Sequence, residues 1–145
     1  MDTYLRERAL QDQKKRAAVC WVLPHAETPA QIRGYYTLSA YSIVLRELPQ
    51  DQARKLPRYP DVPAALLGRL AVDSKSRGLR IGEHILMDAM AKVLEQSATI
   101  ATYALVVDAK DAQAAAFYAR YDFTAFPSNP LRLYLPTATI AQLFE

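Results

Sequence analysis

Cysteine is almost missing from this chain: Cys20 is the only one in 145 residues. A single thiol cannot close an internal disulfide, so packing alone must hold the fold, and the usage fits a reducing cytoplasm. Histidine is nearly as scarce. His25, His84 and Cys20 are scattered along the chain, which is no pattern for a structural zinc site, and no metal cofactor is expected. No apolar run is long enough to cross a membrane, and the polar start MDTYLRERALQDQKKR is not a signal peptide. Internal repeats and low-complexity segments are absent too. Glycine is limited to four residues, and two of them, Gly78 and Gly82, fall in one short segment.

What is present suits one globular domain spanning 1–145, with 51% hydrophobic and 23% charged residues. The formal net charge of +3 is compatible with an acidic partner such as nucleic acid or a phosphorylated cofactor, and equally with an ordinary solvated surface. Tyr4 to Lys15 has helical character, with Tyr4, Leu5, Ala9 and Leu10 as the apolar stripe and Asp2 or Thr3 as cap. Arg16 to Leu23 and Ile32 to Leu45 read as two strands around a turn, and Gly34 inside the second marks a bulge or a close backbone approach. Prolines 49, 57 and 60 bracket QDQARKL, enough for one or two helical turns with Arg54, Lys55 and Arg58 exposed. Ala64 to Val72 carries apolar side chains on both faces, the pattern of a covered central strand.

The clearest periodicity follows. Ile81, Ile85, Leu86, Ala89, Met90, Val93 and Leu94 recur at helical spacing. Thr102 to Val107 is a buried strand, Asp111 caps a helix over Ala112 to Tyr121, and Phe123 to Phe126 with Leu131 to Leu135 form a closing pair before a short helix from Thr137 to Phe144. This order predicts an α+β domain around a mixed sheet.

Between strand and long helix lies Arg77-Gly78-Leu79-Arg80-Ile81-Gly82. The first amides of a helix have no partner within it, and the macrodipole adds partial positive charge, so such a turn suits a phosphate or pyrophosphate. On glycine spacing alone, a plain strand-to-helix connection with solvated arginines explains the segment as well.

In this setting Arg77-x-x-x-x-Gly82 resembles motif A of the GCN5-related N-acetyltransferases (GNAT), Q/R-x-x-G-x-G/A, with Arg80 standing where the family has glycine. Ala116-Phe117-Tyr118-x-x-x-Asp122-Phe123 resembles the family's A-x-x-F-Y-x-x-x-G-F, with Asp122 in its glycine position, and Leu70-Ala71-Val72 resembles the strand that pairs with the pantetheine arm of coenzyme A. Segments YLRERALQDQKKRAAVCWV, IRGYYTLSA, LPRYPDVPAALLGRLAVD and FTAFPSNPLRLYLP extend the likeness to the acetyltransferase toxins of toxin–antitoxin modules.

That resemblance implies a mixed, mostly antiparallel sheet flanked by helices and lacking the family's first strand. It implies an acetyl-CoA-dependent N-acetyltransferase that blocks translation by acetylating the α-amino group of aminoacyl-tRNA. A ribbon–helix–helix antitoxin and a homodimer are the implied protein partners. The implied cofactor-binding residues are Leu70, Ala71, Val72, Arg77, Gly78, Leu79, Arg80, Ile81, Gly82, Glu83 and Phe117. Tyr118 is the implied catalytic residue, a general acid for the departing thiolate, where packing alone would otherwise account for it. No residue stands out as a general base; His84 is placed on a helix flank without a role. Arg6, Arg8, Lys14, Lys15, Arg16, Arg54, Lys55, Arg58 and Lys75 are the basic residues available to tRNA phosphates. Two alternatives stand beside this reading: acetylation of a small-molecule or protein amine, and a noncatalytic interaction protein on the same fold.

Overall fold

The structure, a computed structural model, describes residues 2–27, 31–76 and 80–145. Its elements are α1 (Asp2–Glu7), α2 (Ala9–Lys14), β1 (Val19–Pro24), β2 (Ile32–Val44), α3 (Gln50–Ala53), β3 (Asp61–Val72), α4 (Ile81–Gln96), β4 (Ala104–Asp108), α5 (Ala112–Ala119), β5 (Thr124–Phe126), β6 (Asn129–Pro136) and α6 (Thr137–Leu143). The strands form a six-stranded sheet in the order β1-β2-β3-β4-β6-β5. β1 with β2, β4 with β6 and β5 with β6 are antiparallel, so the expected α+β class with a mostly antiparallel sheet is what the chain adopts. Two compact units can be distinguished, Met1–Ser39 with Leu67–Lys92 and Ala40–Leu66 with Val93–Glu145.

In the first unit, successive residues of β2 anchor opposite faces, as the two-residue strand period requires. Tyr35 stacks on Tyr4 of α1, with ring centroids 5.9 Å apart and planes 7° from parallel. Tyr36 points the other way and donates its hydroxyl to Asp88 of α4. On the first face the Arg69 guanidinium lies 4.1 Å from the Tyr4 ring, and the Tyr4 hydroxyl donates to Asp12 at 2.9 Å.

That last bond explains the first departure from expectation. In one straight helix, eight residues span about 12 Å, beyond the reach of Tyr4 to Asp12. The helix is interrupted at Arg8, whose φ of −126° leaves the helical region, and the segment forms two short helices. Thr3 lies within α1 and does not cap it, and Leu10 is 65% exposed and so falls outside the apolar stripe. Residue Arg16 then ends α2 with a left-handed φ of 61°.

The close approach expected at Gly34 is present. The β1–β2 register shifts opposite it, and a Cβ built there would lie 2.7 Å from the Ala71 carbonyl oxygen. β1 sits at the sheet edge with Val19, Trp21 and Val22 each exposed by 41% or more. β3 is longer than expected, beginning at Asp61. It is also less covered, since Ala64 and Leu67 are buried while Gly68 and Arg69 are exposed. Its apolar composition reflects a central place in the order, not two fully covered faces.

In the second unit, Ile43, Leu48, Ala64, Val106, Phe126 and Tyr134 belong to one buried cluster. Ala104 to Val107 are fully buried, as the apolar run of β4 implies. Asp111 caps α5 by accepting from the Ala114 amide at 2.8 Å. Ile140 of α6 is wholly buried, so this short final helix is docked into the core.

Several tyrosines share one physical consequence. Burial, as the largest cause, pushes Tyr4, Tyr118 and Tyr134 from the ordinary 10.0 to about 12, and Tyr36 higher still. The folded state therefore holds phenolic protons that the unfolded chain releases near 10. This contribution to stability is intact below about pH 10 and is lost as pH rises through about 12. Urea midpoints should accordingly fall steeply across that interval, with tyrosinate absorbance appearing as the chain unfolds.

Candidate active site

The candidate residues fall in both units. Leu70, Ala71 and Val72, at the end of β3, are half-buried. Arg77, Gly78 and Leu79 lie outside the described residues. From Arg80 onward the helix start is defined. The His84 amide donates to the Arg80 carbonyl at 3.1 Å and closes the first turn of α4. The amides of Ile81, Gly82 and Glu83 thus precede the first helix-closing bond and have no acceptor within the helix. Ile81 is 6% exposed, so its side chain belongs to the core and only its backbone is available to a ligand.

Arg80 adopts a φ of 59°, left-handed backbone that a side chain disfavours and glycine accepts. Arg80 thus holds, with a side chain, a backbone conformation that glycine adopts freely. The Arg80 side chain is 82% exposed, and its Nε lies 3.8 Å from a Glu83 carboxylate oxygen. The guanidinium stands out in solvent, and an arriving anion would compete with Glu83 for it.

Asp122 repeats this pattern with a φ of 72°. At the end of α5 the Asp122 amide donates to the Ala119 carbonyl at 3.2 Å and the Phe123 amide to the Tyr118 carbonyl at 3.4 Å. This is the Schellman arrangement, whose usual apolar contact joins the residues at either end. Here those residues are Tyr118 and Phe123, with ring centroids 5.5 Å apart and planes at 60°. Phe117 also packs edge-on to Tyr118, at 5.3 Å, so the tyrosine ring is held on two sides. Tyr118 is 8% exposed, and its pKa rises to about 12 through burial alone; no carboxylate or side-chain hydrogen bond contributes. Phe117 in turn meets Tyr121 at 5.2 Å, and the Arg120 guanidinium lies 5.7 Å from its ring.

The two left-handed residues give a test of backbone strain. A non-glycine residue in this region costs about 1–3 kcal/mol, while glycine loses roughly 0.5–1 kcal/mol more chain entropy on folding. Asp122→Gly should therefore stabilise the protein by about 1 kcal/mol, measured by urea unfolding, and Asp122→Val should destabilise it.

Thr37 carries a role that its sequence position did not suggest. It is 3% exposed, and its hydroxyl accepts from the Arg69 amide at 3.0 Å, one residue before the candidate cofactor strand. A small polar residue inside a run of tyrosine, leucine and isoleucine is the only cue. His84 is exposed, as expected of a helix flank. Among the described residues no cluster of potential metal ligands is present.

The acetyltransferase (GNAT) family model matches residues 2–123. The chain belongs to that family, and so is an N-acetyltransferase with acetyl-CoA as co-substrate. It is similar to a tRNA-acetylating toxin of Mycobacterium tuberculosis, 35% identical over 135 residues, covering 93% of this chain and 78% of the relative. A probable toxin TacT of Sinorhizobium fredii is 30% identical over 117 residues, or 76% of this chain and just under two thirds (65%) of that protein. Among solved structures, a tyrosine-to-phenylalanine variant of KacT superposes with a TM-score of 0.92 at 33% identity, covering 98% of this chain and 84% of the other. AtaT complexed with acetyl-methionyl-tRNAfMet gives 0.90 at 27%, covering the same shares. A tyrosine-to-phenylalanine variant of AtaT bound to acetyl-CoA and the C-terminus of the antitoxin AtaR gives 0.80 at 25%, covering 97% and 81%.

The described residues fit acetyl-CoA. A left-handed residue leads directly into a 16-residue helix whose first three amides are available to a pyrophosphate, with an exposed guanidinium beside them.

Proposed function

We propose that this chain, read as a single acetyltransferase domain over 1–145, is a toxin-type enzyme that acetylates the α-amino group of aminoacyl-tRNA and so blocks translation. The observation that carries the reading is the left-handed backbone at Arg80 and Asp122, the two positions that hold glycine in the motifs this chain resembles. The likeness to a tRNA-acetylating toxin over 93% of the chain, and to AtaT complexed with acetyl-methionyl-tRNAfMet, supports charged tRNA as the acceptor. The AtaT complex with the C-terminus of AtaR supports one further partner, an antitoxin, here of ribbon–helix–helix type. A cytoplasmic homodimer completes the reading.

In this proposal Leu70 to Val72 pair with the pantetheine arm. The turn from Arg77 through Glu83 holds the pyrophosphate, and Phe117 packs against the cofactor. When bound, acetyl-CoA supplies the acetyl thioester. Tyr118 keeps its proton at neutral pH and offers it to the sulfur that leaves. A phenol at about 12 facing a thiolate of ordinary pKa near 8.5 would give up its proton at a cost of roughly 5 kcal/mol. Burial raises a thiol as well, and this narrows the gap between two groups desolvated together. The solvation of Tyr118 is thus part of its function. Arg80→Gly should leave the fold intact and weaken acetyl-CoA binding by about three- to tenfold through the lost charge-assisted contact, read by calorimetry.

Incubation with labelled acetyl-CoA and charged tRNA tests the acceptor. Label on the aminoacyl group is expected. Its absence, with transfer to a free polyamine or peptide instead, would replace tRNA by another amine. Failure to bind acetyl-CoA at all would leave a noncatalytic interaction protein.

A further inference from the structure

Tyr59 is 69% exposed, among the most exposed large apolar or aromatic side chains in the molecule, and no other ring among the described residues stacks on it. Nothing in the fold requires an aromatic residue there, yet the loop that carries it is unusually constrained. Pro57 and Pro60 fix φ on either side. The Tyr59 amide donates to the Pro57 carbonyl at 2.8 Å, and the Pro60 carbonyl accepts from the Leu45 amide at 3.0 Å. The ring is therefore presented from a backbone already ordered, so that a partner meets it without the cost of ordering a loop.

The neighbouring surface is basic. Arg58 precedes the ring, and a shallow groove of about 360 Å³ is lined by Gln50, Ala53, Arg54, Leu56 and Arg58, with no carboxylate among them. Arg54 and Arg58 are both exposed. An exposed ring that follows in the chain directly on a groove lined by two arginines is an arrangement that takes an unstacked base while its phosphates are neutralised.

We infer that Tyr59 is a stacking platform for an unpaired nucleotide at the single-stranded end of the RNA acceptor, with Arg54 and Arg58 on the flanking phosphates. The inference rests on the aminoacyl-tRNA reading above and adds to it the residue that holds the acceptor end.

The test compares two RNA hairpins, one with a single-stranded 3′ extension and one blunt, in binding to the full chain. Tyr59→Ala should weaken binding of the extended hairpin about tenfold or more and leave the blunt one unchanged, with the salt dependence preserved. Tyr59→Phe should keep the affinity. The double change Arg54→Ala with Arg58→Ala should weaken the extended hairpin more than the blunt one and flatten the salt dependence of its binding. If the unaltered protein binds the extended hairpin and Tyr59→Ala binds it equally well, the stacking role is wrong and the RNA reading stands. If the unaltered protein binds neither hairpin, both fall.

Discussion

Tyr118→Phe is expected to lower kcat by about 10²- to 10³-fold, within the range for losing a positioned acid, while thermal stability stays near that of the parent. The ring explains why both should hold. Phenylalanine keeps the edge-on packing against Phe117 and Phe123 and the two backbone bonds that close the end of α5. Only the hydroxyl is removed, and no carboxylate or side-chain hydrogen bond contributes to its shifted pKa. Acetyl-CoA affinity, measured by calorimetry on the same variant, should be unchanged. A parallel fall in kcat and stability would instead mark Tyr118 as a packing residue. With the phenol near 12, the parent enzyme should show no tyrosine limb in its rate profile below about pH 10.

Gly34→Ala should cost far more stability than the same change at Gly68. The new Cβ would stand 2.4 Å from the Ile85 side-chain terminus and 2.7 Å from the Ala71 carbonyl oxygen. Ile85 can rotate; the carbonyl belongs to the sheet and cannot move alone. Overpacking against backbone of this kind costs about 3 kcal/mol, or roughly 10 °C in Tm for a domain of this size. Gly68→Ala is the internal control. Its Cβ would approach only the Thr37 hydroxyl, at 3.0 Å, and should cost distinctly less. Equal losses at the two positions would show that the β2–β3 spacing is softer than these distances imply. Because Ala71 lies in the candidate cofactor strand, Gly34→Ala should also weaken acetyl-CoA binding, and Gly68→Ala less so.

Features set by local pattern were readable from sequence. α4 follows its apolar repeat, Asp111 caps α5 as its position suggests, and a glycine near the start of β2 marked the place where two backbones nearly touch. Features set by distant contacts were not. The break between α1 and α2 arises because Tyr4 satisfies both a ring on β2 and a carboxylate eight residues ahead. Exposure along β3 depends on what covers each face, which its apolar composition does not specify. The site shows the same division. Arg80 and Asp122 read as departures from the motif, because residue type argues against left-handed backbone. Both residues take it all the same, Asp122 within the Schellman bonds that close the end of α5. Of the residues nominated for the pyrophosphate turn, Arg80 to Glu83 are placed at the helix start, while Arg77, Gly78 and Leu79 fall outside the described residues.

Trp21 is the only tryptophan of the chain. It lies on β1 at the open margin of the sheet, 41% exposed, with the Lys92 ammonium 4.1 Å from its ring and Asp88 3.3 Å beyond that ammonium. The intrinsic fluorescence of the protein therefore comes from one indole under one cation. Any segment that adds itself alongside β1, or any change that draws Lys92 toward another carboxylate, will shift that emission without a label. The molecule thus carries its own optical gauge of events at the sheet margin.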